Sequence, residues 1–327
     1  MLRRSASYAL IVVGIGAASA RAQPPRPVLE ALPPSPRTKV ITLSYINPFD
    51  RSTNEALLEL PHQVNGRIPL IVTPHAANWT QEMNRSLWTG VADRFGVMIL
   101  YPRHQGKLNP RVTFGSPKQM CNLEAAVAET KRRYPVDSGR LYIAGLSQGA
   151  VESLLYAGRN ATTVGGVLAM NPVVDCLAFY EDLAAFLSRH EQMPPDPVTK
   201  LRLAQWTALL NVMNADFGGT PDTARTEYYL RSATLYAPAI ASVPLVLFWA
   251  ENDELIPNGG SHQGGMFANL LRKLNGHLLR ERRHANGHGY PFYRVDLAQM
   301  KTVVFPREIF LSAVKELLMF QRSAPPH

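Results

Sequence analysis

Cysteine is scarce in this chain: there are two among 327 residues, Cys121 and Cys176. That is too few for a small disulfide-stapled scaffold. Neither has a His or Cys at ligand spacing, so no metal site is expected around them. Charge of one sign is not massed either. The formal net charge is +9, yet the cations are scattered apart from Lys131-Arg132-Arg133, on an expected helix end, and Arg280 to Arg283, flanking an expected strand. No basic stripe carries interleaved aromatics, so nucleic-acid binding is not expected. Attraction to an anionic polymer or surface is a weaker consequence of the charge. Long apolar runs are missing as well. The run from Tyr8 to Ala18 is shorter than the roughly 20 residues a membrane span needs. There is no internal repeat.

That same run, however, has a recognisable setting. Arg3 and Arg4 precede it, and Ala18-Ser19-Ala20 or Ala20-Arg21-Ala22 offers a cleavage site after it. This is the layout of a secretory signal peptide over residues 1–22. A chain exported in this way is secreted or periplasmic, with no stable membrane insertion after cleavage. Loss of Arg3, Arg4 and Arg21 leaves a charge of +6. Export permits Cys121 and Cys176 to pair, worth on the order of 4 kcal/mol in the chain-entropy model; two small buried thiols are the alternative. Residues 23–38 carry six prolines and read as a disordered or extended lead-in. Asn78, Asn84 and Asn160 open glycosylation sequons, which matter only in a eukaryotic source.

Residues 39–327 read as one α/β domain, since strand-like and helix-like stretches alternate from about residue 68 to 320. Ile68 to Thr73, Val97 to Tyr101, Leu141 to Ala144, Val164 to Met170, Val243 to Trp249 and His277 to Glu281 read as strands. Trp88 to Phe95, Leu123 to Tyr134, Gln148 to Ala157, Phe267 to Leu274 and Arg307 to Phe320 read as helices. Such alternation predicts a mostly parallel central sheet with helices on both faces. Lys39 to Leu60 supplies one or two antiparallel edge strands. Residues 177–232 break the rhythm, with helices expected over 178–190 and 198–213 and no strand. An insertion this long exceeds an ordinary crossover and predicts a helical cap.

The chemistry centres on Gly145-Leu146-Ser147-Gln148-Gly149, at the end of an apolar strand and the start of a helix. By composition alone Gly-x-Ser-x-Gly arises in roughly one chain in ten of this length; its context is what makes it a nucleophile elbow. A serine hydroxyl needs a base and a group to orient that base. On such a sheet the acid follows first and the histidine later. Asp253, just past the strand ending near Trp249, is the candidate acid, with Glu251 and Glu254 as rivals. His288, between two glycines on a tight exposed loop, is the candidate base, with His284 as the rival. His62, His104, His262 and His277 read as structural or solvated. The oxyanion needs two backbone N–H donors: one from Gln148, the other from Ala76 or Ala77 in the loop after Thr73, with His75 as a brace. Trp79, Trp206 and Trp249 read as core rather than pocket lining.

These pieces resemble the secreted α/β-hydrolase esterases related to polyhydroxybutyrate depolymerases and feruloyl esterases. The match is carried by Ile68-Pro69-Leu70-Ile71-Val72, Ala92-Asp93-Arg94-Phe95-Gly96-Val97, Tyr101-Pro102, and Arg133-Tyr134-Pro135-Val136-Asp137 leading to the elbow. The carboxyl half is more similar to prolyl-oligopeptidase-type hydrolases, through Phe217-Gly218-Gly219-Thr220-Pro221, Tyr236-Ala237-Pro238, Val243-Pro244-Leu245, Glu251-Asn252-Asp253 and Gly287-His288-Gly289-Tyr290. The two resemblances share the α/β-hydrolase fold and agree on Ser147, Asp253 and His288. One departure is His75-Ala76 where these families carry His-Gly. Another is the lack of a counterpart to the peptidases' large amino-terminal propeller, which shifts the expectation toward small-molecule or polymeric esters. The resemblance implies an exported serine esterase needing neither cofactor nor metal. A peptidase with the same triad, gripping a substrate amine through Glu181 or Asp182, and a catalytically silent binding protein are the alternatives.

Overall fold

Where apolar residues run unbroken, the chain forms strands covered on both faces. The computed structural model describes residues 37–190, 196–296 and 301–321. Its first strands are Lys39–Ile46 (β1) and Thr53–Leu60 (β2), then Ile68–Val72 (β3) and Met98–Pro102 (β4). Val136–Leu146 (β5), Gly166–Met170 (β6), Leu245–Asn252 (β7) and Leu279–Asn286 (β8) complete an eight-stranded sheet in the order β1-β2-β4-β3-β5-β6-β7-β8. β1 and β2 pair antiparallel at one edge, β2 meets β4 antiparallel, and every later pairing is parallel. β3, β4 and β6 are buried throughout, as parallel strands between two helical layers must be. The expected mostly parallel sheet is therefore present. A separate antiparallel ribbon, Tyr293–Asp296 (β9) with Lys301–Val304 (β10), was not signalled by the sequence.

Alternation along each strand divides the core in two. Leu141 and Ile143 of β5 join one apolar cluster, while Tyr142, Ala144 and Leu146 join the other. β7 does the same, with Leu245, Leu247 and Trp249 on one face and Val246 and Phe248 on the other. The period of two is what a sheet covered on both sides requires. Gln81–Leu87 (α1), Val91–Phe95 (α2) and Arg307–Met319 (α10) cover one face; Pro117–Arg133 (α3), Gln148–Arg159 (α4) and Gly264–Asn275 (α9) cover the other. α3 has Ser116 as its N-cap, accepting from the Gln119 amide at 3.3 Å, and Pro117 in its first turn, a favourable start for a helix. The helix expected over 88–95 is shorter: residues 88–90 form a turn after α1, and α2 starts only after Gly90, whose φ of 78° is left-handed.

Between β6 and β7 lie Cys176–His190 (α5), Pro197–Phe217 (α6), Pro221–Leu230 (α7) and the short Ala237–Ile240 (α8). Trp206 packs edge-on against Phe186, and Phe217 stacks on Tyr228, so the insertion has apolar packing of its own. β8 is the other edge of the sheet. The Arg280 to Arg283 cluster lies within it rather than beside it, pairing with Glu316 of α10 and with Glu251; a charged edge resists strand addition. No helix of the described residues is long and apolar enough to cross a membrane. The expected signal peptide and proline-rich lead-in lie outside the described residues, apart from Arg37 and Thr38.

Candidate active site

Ser147 occupies a backbone conformation that few side-chain-bearing residues adopt, with φ 54° and ψ −122°. Such a conformation costs on the order of 1–3 kcal/mol and must be held by its surroundings. Its amide donates to the Met170 carbonyl at 2.8 Å, and its carbonyl accepts from Ala150 at 2.9 Å. The flanking glycines have a steric reason. A Cβ on Gly145 would lie 2.3 Å from the Gly149 carbonyl, and one on Gly149 would lie 2.2 Å from the Pro74 oxygen. The second contact shows that the elbow presses directly against the loop after β3. Ser147 itself is half-buried, at the carboxyl end of the central strand β5 and the head of α4.

Asp253 and His288 come together just past the carboxyl ends of β7 and β8. His288 Nδ1 lies 2.8 Å from Asp253 Oδ2. Asp253 Oδ1 accepts from the amides of Leu255 and Ile256, each at 2.8 Å, so its free rotation is blocked. Glu254 holds the same histidine in another way: its Oε2 accepts the His288 backbone N–H at 2.8 Å. Burial and the neighbouring Asp253 push the Glu254 carboxyl upward. Burial alone would push the His288 imidazole down, but the charge and hydrogen bond of Asp253, with Glu254 behind them, raise it above its ordinary value. His288 is not on an exposed loop, as expected from its glycines; it is 95% buried. Among the described residues its buried Nε2 has no hydrogen-bond partner. No hydrogen bond joins it to Ser147 among the described residues, and such bonds tighten only once substrate is bound in many hydrolytic enzymes.

Sheet register links the elbow to the loop that carries His288 through the end of β6. Leu146 is opposite Met170 on β6, and Asn171, the next residue, donates from Nδ2 to the carbonyls of His288 at 2.6 Å and Tyr290 at 2.7 Å. Asn171 Oδ1 in turn lies 3.1 Å from His284 Nε2, and His284 stacks on Tyr290. The rival histidine thus supports the loop that carries His288. Glu251, the other rival acid, pairs with Arg283 at the surface. Asn171 is not singled out by the sequence; in the structure it lies just past the end of β6 at φ 50°, which no sequence pattern declares.

The two expected oxyanion segments adjoin. The Gln148 amide opens α4, and amides of a helix's first turn have no intrahelical acceptor. In the Pro74 to Trp79 loop, Asn78 donates to the Arg111 carbonyl and Trp79 to that of Ala76, while the Ala76 and Ala77 amides donate to no acceptor among the described residues. His75 Nδ1 bonds the Ala76 carbonyl at 3.0 Å. Burial, with His104 and Arg111 nearby, drives the His75 imidazole well below its ordinary value, so it is neutral. Among the described residues no group of three or more His, Cys, Asp or Glu is arranged to hold a metal ion.

Cys121 and Cys176 are free. The buried Cys176 Sγ donates instead to the Arg231 carbonyl at 3.3 Å, and burial pushes its thiol up to about 12. Asp182 is engaged with His262 at 2.9 Å and Asn258 at 2.7 Å, tying α5 to the segment after β7, and Glu181 is exposed. Asn78 and Asn84 are buried, Asn84 donating to the Thr73 carbonyl at 2.8 Å, so neither is open to a glycan. Trp79, Trp206 and Trp249 are all buried in the core.

No protein-family model matches the chain, and a search of the curated proteins finds no match. Solved structures do match. The acylaminoacyl peptidase of Pyrococcus horikoshii is similar over 89% of this chain and 43% of its own, with a TM-score of 0.60 and 14% identity. A thermophilic carboxylesterase cloned from a metagenomic library is similar over 90% and 92%, with a TM-score of 0.59 and 16% identity. A bacterial heroin esterase is similar over 88% and 86%, with a TM-score of 0.61 and 16% identity. The chain thus spans less than half of the peptidase and most of each esterase. What is shared at these identities is the fold, and together with the strand order it makes this an α/β-hydrolase fold.

Proposed function

We propose that the chain is an exported serine hydrolase that cleaves carboxylic esters. The observation that carries this is the strained Ser147 at the end of β5, on the same rim of the sheet as a buried His288–Asp253 pair whose imidazole keeps Nε2 unpartnered. Ser147 Oγ attacks the ester carbonyl carbon while His288 Nε2 takes its proton. Asp253 keeps the other ring nitrogen protonated and stabilises the imidazolium that forms. The carbonyl oxygen becomes an oxyanion facing the Gln148 amide and that of Ala76 or Ala77. The tetrahedral intermediate collapses, the C–O bond to the alcohol breaks, and His288 returns the proton to the departing alkoxide. Water then attacks the acyl-enzyme by the same route in reverse. No step calls for a cofactor.

The ester class is supported by two of the structural neighbours being esterases matched over most of their length. The peptidase reading has less support, since Asp182 is already held by His262 and Asn258. Helices α5 to α7, which fill the insertion expected over about 177–232, are the segment we assign as the cap that shapes the acyl pocket. Export rests on the amino-terminal pattern, and the mass of the mature chain checks it. The function is tested by hydrolysis of p-nitrophenyl esters, methyl ferulate, hydroxybutyrate oligomers and aminoacyl-p-nitroanilides by wild type and Ser147→Ala. Ester turnover abolished by the substitution is expected; anilide turnover alone would favour the peptidase.

A further inference from the structure

A second imidazole–carboxylate pair, His104 with Glu152, lies behind the elbow and plays no part in the reaction just described. Gln148 and Glu152 stand one turn apart on α4, and both are buried. Gln148 Oε1 accepts the Thr113 backbone N–H at 3.0 Å. A backbone donor there fixes which end of the amide points which way, so Gln148 Nε2 faces His104 Nδ1 at 2.7 Å as a donor. His104 Nδ1 also lies 3.4 Å from the Arg111 carbonyl, but the much shorter approach of Gln148 Nε2 makes it an acceptor, and the ring proton is assigned to Nε2. Nε2 faces Glu152 Oε2 at 3.1 Å, off the axis of a well-formed hydrogen bond. Glu152 also accepts from Gln119 Nε2 at 3.1 Å and from the Thr113 hydroxyl. Both side chains of the His104–Glu152 pair are fully buried.

The flat face of His104 stacks on His75, with ring centroids 3.5 Å apart and planes 27° from parallel. His75 in turn bonds the Ala76 carbonyl. One rigid group thus touches both segments proposed to supply the oxyanion donors: Gln148 through its side chain, and the Ala76–Ala77 loop through the stacked rings. A buried carboxylate is a poor way to fill space, since apolar residues of similar volume pack as well without desolvating a charge. From this geometry, and resting on the serine-hydrolase reading above, we infer that His104, anchored by Glu152, is a positioning residue that sets the spacing between the two oxyanion donors. It never touches the reacting atoms. Losing one donor outright costs about 10²–10³-fold in turnover; loosening both is expected to cost about 10–100-fold on the same scale.

The test uses the whole mature chain with Gln148→Leu, which keeps the backbone amide but cuts the tie to His104, and His104→Gln. Measurements are kcat, KM, melting temperature and inhibition by phenylboronic acid, which forms an O–B bond to a nucleophilic serine and presents a tetrahedral oxygen to the hole. The expected result is kcat reduced about 10–100-fold with KM within about twofold, and boronate affinity weakened in step with kcat. Folding differences alone would not weaken the transition-state mimic selectively. Folded variants with unchanged kcat and boronate affinity overturn the inference, as does a loss of turnover fully explained by loss of folded protein. If His104→Gln does not fold, Gln148→Leu decides. Loss of Ser147-dependent turnover in the wild type itself would overturn the hydrolase reading and this inference with it, whereas normal wild-type turnover with indifferent variants overturns this inference alone.

Discussion

Two histidines meet buried carboxylates on opposite sides of the strand that ends at Ser147, and they are wired in opposite ways. His288, beyond β8, gives Nδ1 to Asp253 and leaves Nε2 unpartnered. His104, beyond β4, has Nδ1 taken by the Gln148 amide, Nε2 turned to Glu152 and one face covered by His75. The first has a nitrogen with which to take a proton from Ser147, the nucleophile we propose. The second also lacks a well-formed bond at Nε2 among the described residues. That nitrogen, however, carries the ring proton and faces Glu152, so it has no lone pair with which to take a proton and can only hold. A histidine beside a carboxylate is therefore not in itself a catalytic pair; what matters is whether a nitrogen remains free and which way it faces.

That contrast can be broken by substitution. His288→Ala is expected to lower kcat by up to about 10⁶-fold, as for removal of the base in other serine hydrolases, whereas His104 variants lose no more than about 10²-fold on the oxyanion scale; comparable losses measured by steady-state kinetics would end the distinction. Asp253→Asn comes next. It keeps the shape but favours the wrong tautomer, a change worth about 10⁴-fold in kcat, and Glu251→Gln, at the surface with Arg283, is expected to leave kcat within about twofold on the scale of exposed ion pairs.

Smaller effects sharpen the same picture. Gly149→Ala would place a Cβ 2.2 Å from the Pro74 oxygen, and such overpacking costs about 1–3 kcal/mol, read as a lower melting temperature with lower kcat. The pH profile follows from His288. Only neutral imidazole can take the serine proton, and Asp253 and Glu254 raise its pKa despite burial. kcat/KM is therefore expected to fall as pH drops through a value above the ordinary 6.5 or so. Glu254→Gln removes one negative charge that favours the imidazolium, so the acidic limb is expected to move to lower pH; a move to higher pH would contradict the assigned electrostatics.

How much of this was legible in the sequence depends on the distance over which each feature is decided. The parallel strands announced themselves through short apolar runs, and the elbow through a pattern five residues long whose glycines have a local steric cause. Asp253 and His288 were nominated by their place after strands, which topology makes neighbours. The brace of His104 by Glu152 and Gln148, and the hold of Asn171 on the His288 loop, join residues far apart in sequence and left no local pattern. The burial of His288 was missed for the same reason: glycines on either side signal a tight turn, but not that Tyr293 packs against Gly289. The late start of α2, after Gly90 rather than at Trp88, was not legible because one glycine in a helical pattern does not declare its φ.

The central claim is that Ser147 is the nucleophile, and covalent labelling tests it most directly. The purified mature chain would be treated with a fluorophosphonate, digested, and mapped by mass spectrometry, with Ser147→Ala and His288→Ala alongside. The account predicts one adduct, on the peptide carrying Ser147, absent from the first variant and strongly slowed in the second. An adduct on another residue, or ester turnover by a wild-type chain that never labels at Ser147, would contradict it.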